Sequence, residues 1–459
     1  MTLEFDCFGS TITTRPQTDV TAWNAAQLAF LAHGASTPEH LAKAIDSDPD
    51  FALPVISKGL FCLLLGRSEM MDVAREAETQ ARQAIERQPI SRRETVFLDA
   101  LSAWNAGSPN LAVQRIDTWL ETNREDALAM KLVQAIRFVL GDAEGMRRSI
   151  EGILTHLPHS HLAYGYALGC HAFTLEETGD YARAEAVGKQ AVLHQPDDAW
   201  GLHAVAHVYD MTHQTDAGIN WLSSQTSAWQ HCNNFRYHVW WHLALLHLDN
   251  GAYGEVFALY DSHIRADKTD DYRDISNAAS LLSRLELEGQ SVGTRWEELA
   301  DIAERRTGDG CLAFADLHYI LALIGGNRFQ ATKDLLARMQ LDAKTQANEM
   351  AAIMAAPGLT AAQGLECFGE GDYAGAFRNL RKGHDQMQTI GGSHAQRDVF
   401  ERLTVEAAIR AGRFKEAENL LNARTRQRAG REDSFASSRQ ALIQSIINSS
   451  GIATAVPAE

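Results

Sequence analysis

Long apolar runs are missing from this 459-residue chain: no stretch approaches 18 uninterrupted apolar residues, so no membrane-spanning helix is expected. Basic charge is scarce as well. Lys+Arg number 42 against 59 Asp+Glu, for a formal net charge of -17, and no Lys/Arg-rich block appears. On that ground neither a nucleic acid nor a membrane surface is expected as a partner. Cysteine is sparse and unpatterned. Cys7, Cys62, Cys170, Cys232, Cys311 and Cys367 show no Cys-x-x-Cys spacing, which reads as reduced thiols in a cytoplasmic protein. The opening residues, Met1-Thr-Leu-Glu-Phe-Asp6, carry neither the basic nor the apolar region of a secretory signal, so none is expected. No Gly-rich phosphate loop, Gly-x-Ser-x-Gly elbow or dinucleotide fingerprint occurs. Motifs therefore name no reaction.

What the chain holds in excess is histidine, concentrated in one place. Residues 156–263 contain 13 of the 18 histidines, together with five of nine tryptophans and seven of ten tyrosines. Neutral imidazole, indole and phenol in one segment suit capture of a small or peptidic ligand more than solvation.

Helix-breaking positions set the frame around that segment. Turn signals recur at Gly34, Gly66, Gly107, Gly141, Gly179, His213, Gly251, Gly289, Gly326, Gly371 and Gly412, with gaps of 32 to 45 residues and no strand-like alternation between them. Such a period is the signature of stacked helical hairpins. In the clearest unit Gly179-Asp180-Tyr181 makes the turn, Ala184 and Ala191 let two helices approach closely, and Pro196 stops the second helix. The fold class is therefore all-α, a right-handed α-α superhelix of about ten to eleven tetratricopeptide-like hairpins, without strands. Residues 1–17 read as an N-terminal leader, 18–430 as the solenoid with 156–263 at its centre, and 431–459 as a C-terminal helix and frayed tail. Pro357-Gly358 is the best candidate break, and it fits a long loop between repeats equally well.

Counting back from each turn, the first helix of a hairpin should aim one stripe at the concave groove. The unit ending at Gly179 then presents Tyr166, Gly169, Phe173 and Glu176; the unit ending at His213 presents Trp200, His203, His207 and Asp210; the unit ending at Gly251 presents His238 and Trp241, with His242 one step aside. Two i, i+4 pairs stand out: His203-Ala-Val-Ala-His207 and His238-Val-Trp-Trp-His242. Such a pair lies about 6 Å apart on one helix face, a spacing able to chelate a metal ion, and Asp210 or Glu176 could complete the set. Against a metal stand the indole of Trp241 beside His242 and a three-residue stagger between the pairs. That stagger favours His203 meeting His238, or His207 meeting His242, over all four together. A metal-free groove is the preferred expectation, with no cofactor.

Three stretches carry a family resemblance: Leu175-Glu-Glu-Thr-Gly-Asp-Tyr181, Asp198-Ala-Trp-Gly-Leu-His-Ala-Val-Ala-His-Val208 and Tyr237-His-Val-Trp-Trp-His242, continuing to Tyr260-Asp-Ser-His263. They resemble the tetratricopeptide repeat protein 38 family across roughly 160–265. The resemblance implies an α-α superhelix and places the paired histidines in the family's distinctive motif. It carries over no catalytic role.

The functional expectation is a solenoid that binds a peptide or small molecule through Tyr166, Phe173, Trp200, His203, His207, Asp210, His238, Trp241 and His242. The alternative is an enzyme using the same groove, with His203, His207, His238, His242, Asp210 and Glu176 as acid–base or metal-assisting candidates. A plain protein–protein scaffold is the third reading.

Overall fold

Reversing a helix within two or three residues needs a left-handed backbone conformation, which glycine reaches without a side-chain clash. The computed structural model describes residues 2–15, 18–345 and 348–450. Within them, Gly66, Gly107, Gly141, Gly179, Gly251, Gly289, Gly371 and Gly412 adopt that conformation, with φ between 57° and 83°. At the remaining expected turns a larger residue takes it: His213 (φ 52°), His33 beside Gly34 and Asn327 beside Gly326 (φ 57° each). Asp126, Asp142, Asp198 and Asp372 each open a helix by accepting the backbone N–H three residues on.

Eleven helical hairpins result among the described residues, from Thr21–Leu31 with Thr37–Ser47 to His394–Arg410 with Phe414–Gln427. The fold is an all-α, tetratricopeptide-like superhelix. Small residues decide how closely the helices approach. A Cβ built on Gly188 would lie 2.5 Å from Val205 Cγ2, and Ala184 and Ala191 flank it on the same buried stripe.

The N-terminus corrects two expectations, a leader over 1–17 and a fold without strands. Thr2–Phe5 pairs antiparallel with Thr11–Thr14. The β-branched run Thr11-Ile12-Thr13-Thr14 suits a half-buried strand, and Ile12 sits in the core. Arg93, itself buried, reaches back to Asp6 (Nη1 to Oδ2, 3.1 Å) and grips Asp126 with two nitrogens (2.6 and 2.8 Å). Pro16 and Gln17, the last two residues of the expected leader, fall outside the described residues. Pro357-Gly358 lies in the kinked segment Met354–Gly358, packed against the helix Leu359–Gly369, and divides nothing. The helix Ser434–Ser450 docks through Phe435, Ala436 and Ile443. Residues 451–459, where the frayed tail was expected, lie outside the described residues.

The curved array closes on itself. Arg306 binds Glu69 at 2.9 Å, Asn110 binds Glu349 at 2.9 Å and Gln388 donates to the Gly141 carbonyl at 2.9 Å. His394 N–H donates to Glu177 at 2.7 Å, Arg428 to Asp210 at 2.9 Å and the Ser434 hydroxyl to Asp249 at 2.6 Å. These partners are 185 to 247 residues apart in sequence, roughly six repeats of a hairpin solenoid. The turns of one superhelical coil thus seat on the next. The apolar interior forms two large clusters, within 12–170 and within 199–403, and a chamber with exposed Ala35, Pro38 and Ala42 at its mouth lies where they meet.

Candidate functional site

Two helices carry the paired histidines: Ala199–Met211 and Phe235–Asp249. Apolar residues dominate the buried faces of both, so the imidazoles are driven inward with them. All four rings meet. His203 Nε2 lies 2.9 Å from His207 Nε2 and 3.2 Å from His238 Nε2, and His238 Nε2 lies 3.1 Å from His242 Nε2. The rings of His207 and His242 are 4.2 Å apart at their centroids. His203, His207 and His242 are almost wholly buried.

The expected stagger does not keep the pairs apart. It was counted from the turn at each helix end, but the second helix is 15 residues long and the first 13. Counted from their N-termini, His203 is the fifth residue of its helix and His238 the fourth of its own. One residue is about 1.5 Å of rise, so both pairs reach one point.

The far nitrogens have their own partners. His203 Nδ1 lies 3.3 Å from the Trp200 carbonyl and His238 Nδ1 lies 3.0 Å from Asn277 Oδ1. His207 Nδ1 stands 3.4 Å from Glu176 Oε2, both atoms fully buried, and neither makes a hydrogen bond among the described residues. Burial lifts the Glu176 carboxyl above its ordinary value. Burial works against charge on His207, yet Glu176 outweighs it and raises the imidazole. Burial, followed by the neighbouring imidazoles, holds His203 and His242 well below the usual histidine range. Burial takes His238 to about 3. Three of the four rings are therefore neutral at physiological pH.

The chamber adjoins this cluster through His203 and His238 and has a volume of 570 Å³. Aromatic rings line it. Trp200 packs on Phe173 (centroids 4.6 Å) and Phe235 (5.4 Å), His33 stacks between Trp200 and Phe235, and Phe30 stacks on Phe61 (4.0 Å) at the other end. Lys58, Lys131 and Arg273 also line the space, with Asp46 the one carboxylate among the described lining residues. Lys131 Nζ touches His33 Nε2 at 3.1 Å and has no carboxylate within 4 Å among the described residues. Arg273 is held by Asp271 at 2.9 Å.

Of the sequence-predicted residues, Phe173, Trp200, His203 and His238 reach the chamber, while His207 and His242 complete the cluster behind them. Three expectations are corrected. Tyr166 hydrogen-bonds Asp197 at 2.9 Å and packs with Phe8 and Leu31, away from the chamber. Asp210 is spent on Arg428 in the seam between coils. Trp241 is fully buried, stacked on His238 at 5.2 Å with Arg284 on its ring, and stands beside the cluster instead of blocking it. Glu176 supports His207 and does not line the chamber. Sequence reasoning missed Phe30, Phe61, Lys131, Phe235 and Arg273. Lys131 carried a signal: it is the one lysine inside the otherwise buried helix Ala127–Val139, and a lysine there needs a reason.

No family model matches the chain. A solved structure of a human IFIT1 dimer with m7Gppp-AAAA is similar over 95% of this chain and 96% of that one, at 12% identity and a TM-score of 0.41. One expectation is corrected. The exclusion of nucleic acid as a partner, drawn from net charge alone, does not stand. The physical reason is general: net charge is a property of the whole surface and does not report the charge of an interior space.

Proposed function

We propose that the protein binds a small molecule, largely apolar or aromatic and bearing an anionic group, inside the chamber. One observation carries this reading: an aromatic-lined cavity of 570 Å³ in which Lys58, Lys131 and Arg273 face a single described carboxylate, Asp46. That volume falls in the usual range for small-molecule sites, about 300–1,000 Å³. Aromatic faces supply affinity, and a cation without its own carboxylate orients an anion. Contacts between successive coils close the concave surface along much of its length, which favours a small ligand over an extended peptide. The motif spanning 160–265 supports placing the chain in the tetratricopeptide repeat protein 38 family. Six cysteines without a disulfide among the described residues support a reducing, cytoplasmic setting. No helix of the described chain is long and apolar enough to cross a membrane.

A screen of aromatic and aliphatic carboxylates by thermal shift, followed by calorimetry, tests the reading. Lys131→Met is expected to weaken a carboxylate ligand by about 10- to 100-fold while leaving its uncharged ester little changed, since a charge-assisted hydrogen bond contributes about 1.5–3 kcal/mol. Phe235→Ala is expected to weaken acid and ester alike. Equal affinity for acid and ester in the parent protein would contradict the proposed class.

A second reading, an enzyme acting in the same chamber, draws on one feature: His203 and His238 belong at once to the chamber wall and to the four-histidine cluster. Turnover of a chamber ligand that is lost in His238→Ala while binding persists would favour it.

A further inference from the structure

We infer that His203, His207, His238 and His242 form a metal site, holding one divalent first-row transition ion through their four Nε2 atoms. The inference stands apart from the ligand reading above, since it needs only the cluster. Hydrogen accounting carries it. A backbone carbonyl can only accept, so the Trp200 carbonyl 3.3 Å from His203 Nδ1 puts a proton on that nitrogen. The Asn277 carbonyl oxygen does the same for His238 at 3.0 Å. Two rings, His203 and His238, are thus fixed with the proton outward and the Nε2 lone pair inward.

The contact between these two rings then lacks a proton. His203 Nε2 faces His238 Nε2 at 3.2 Å, lone pair against lone pair, where the cluster meets the chamber. His207 and His242, whose Nδ1 atoms have no hydrogen-bond partner among the described residues, can supply a proton to the 2.9 Å contact with His203 and to the 3.1 Å contact with His238, which leaves the His203–His238 contact unsatisfied. Buried acceptors do not crowd together without a cation between them. The spacing suits one. Zn–N bonds of about 2.0–2.1 Å place tetrahedral ligand atoms about 3.3–3.4 Å apart, a few tenths of an ångström beyond the contacts seen.

Donor type narrows the ion. Four imidazole nitrogens with no oxygen ligand disfavour Mg²⁺ and Ca²⁺ and suit Zn²⁺, Ni²⁺, Cu²⁺ or Fe²⁺. Glu176, Asn277 and the Trp200 carbonyl are the outer partners that metal-bound histidines ordinarily have. Glu176 is a positioning residue: it touches His207 and not the ion.

The test begins with untagged full-length protein and elemental analysis. Close to one transition ion per chain is expected, removed by 1,10-phenanthroline and restored at one equivalent of Zn²⁺. Titration of the stripped protein with Co²⁺ should saturate at one equivalent and give the visible absorption of a nitrogen-ligated ion. His203→Ala and His238→Ala should each lower metal content at least tenfold, while the control His159→Ala retains it. Glu176→Gln should weaken Zn²⁺ by about 10- to 100-fold with the circular dichroism unchanged. Metal below a tenth of an equivalent as isolated, together with no saturable Co²⁺ uptake by the parent protein, would overturn the inference without reliance on any variant. Loss of ligand binding in Lys131→Met with full metal content would leave it intact, and metal loss with ligand still bound would do the converse.

Discussion

Gly141→Ala is expected to destabilise the protein by about 3–5 kcal/mol, while Gly179→Ala costs only about 1–2 kcal/mol. Both glycines end the first helix of a hairpin, with φ of 68° and 83°. An alanine at either position carries the same left-handed strain. Their surroundings differ. A Cβ at Gly141 would lie 1.8 Å from the Gln388 carbonyl oxygen, whereas a Cβ at Gly179 meets nothing within 4 Å. The Gly141 clash is backbone against backbone across the seam between two coils, so it cannot be relieved by a rotamer change. Urea titration of the two variants, with hydrogen exchange read over 384–397, checks this. Faster exchange in that segment for Gly141→Ala alone is the expected pattern. Equal losses in both variants would mean that the coils do not rest on one another there.

Arg93→Met is expected to lower stability by about 3–5 kcal/mol, because it strands buried carboxylates. Arg93 and Asp126 are each nearly inaccessible, and the guanidinium binds Asp126 at 2.6 and 2.8 Å and Asp6 at 3.1 Å. Burial opposes the charge on Arg93, but Asp126 more than offsets it and holds the guanidinium above its ordinary pKa. The effect reaches the chamber. Asp126 caps the helix Ala127–Val139, which carries Lys131 and Phe138 to the cavity wall. Denaturant midpoints of Arg93→Met and of the double variant Arg93→Met/Asp126→Asn decide the cause. Partial recovery in the double variant is the expected sign of an uncompensated charge, and a further additive loss would point to packing alone.

Local chemistry explains which parts of this architecture were legible in the sequence. Each hairpin reversal needs one left-handed residue, so Gly66, Gly107 and their counterparts marked the period whatever lay between them. The paired histidines were legible for the same reason, being a spacing within one helix. The N-terminal strands were overlooked although Thr11-Ile-Thr-Thr14 follows Gly9 as a strand follows a turn. The seam between coils left no local trace. Asp210 and Arg428 meet across 218 residues, and nothing near either one announces the other. That is also why Asp210 was assigned to the groove. Trp241 was misplaced because the longer helix Phe235–Asp249 turns Phe235 and His242 inward with the expected His238 and leaves Trp241 beside the cluster. Convergence of four imidazoles depended on that same end-to-end register between neighbouring helices, which side-chain periodicity does not encode.

Four imidazoles from two helices meet at one point beside the chamber. X-ray absorption at the metal edge of untagged, full-length protein addresses this most directly. The account predicts a first shell of four nitrogens at about 2.0–2.1 Å with the outer-shell scattering of imidazole rings, unchanged in His159→Ala and abolished in His203→Ala. A shell containing sulfur, a shell with two or fewer imidazoles, or a protein that takes up no metal at all would contradict it.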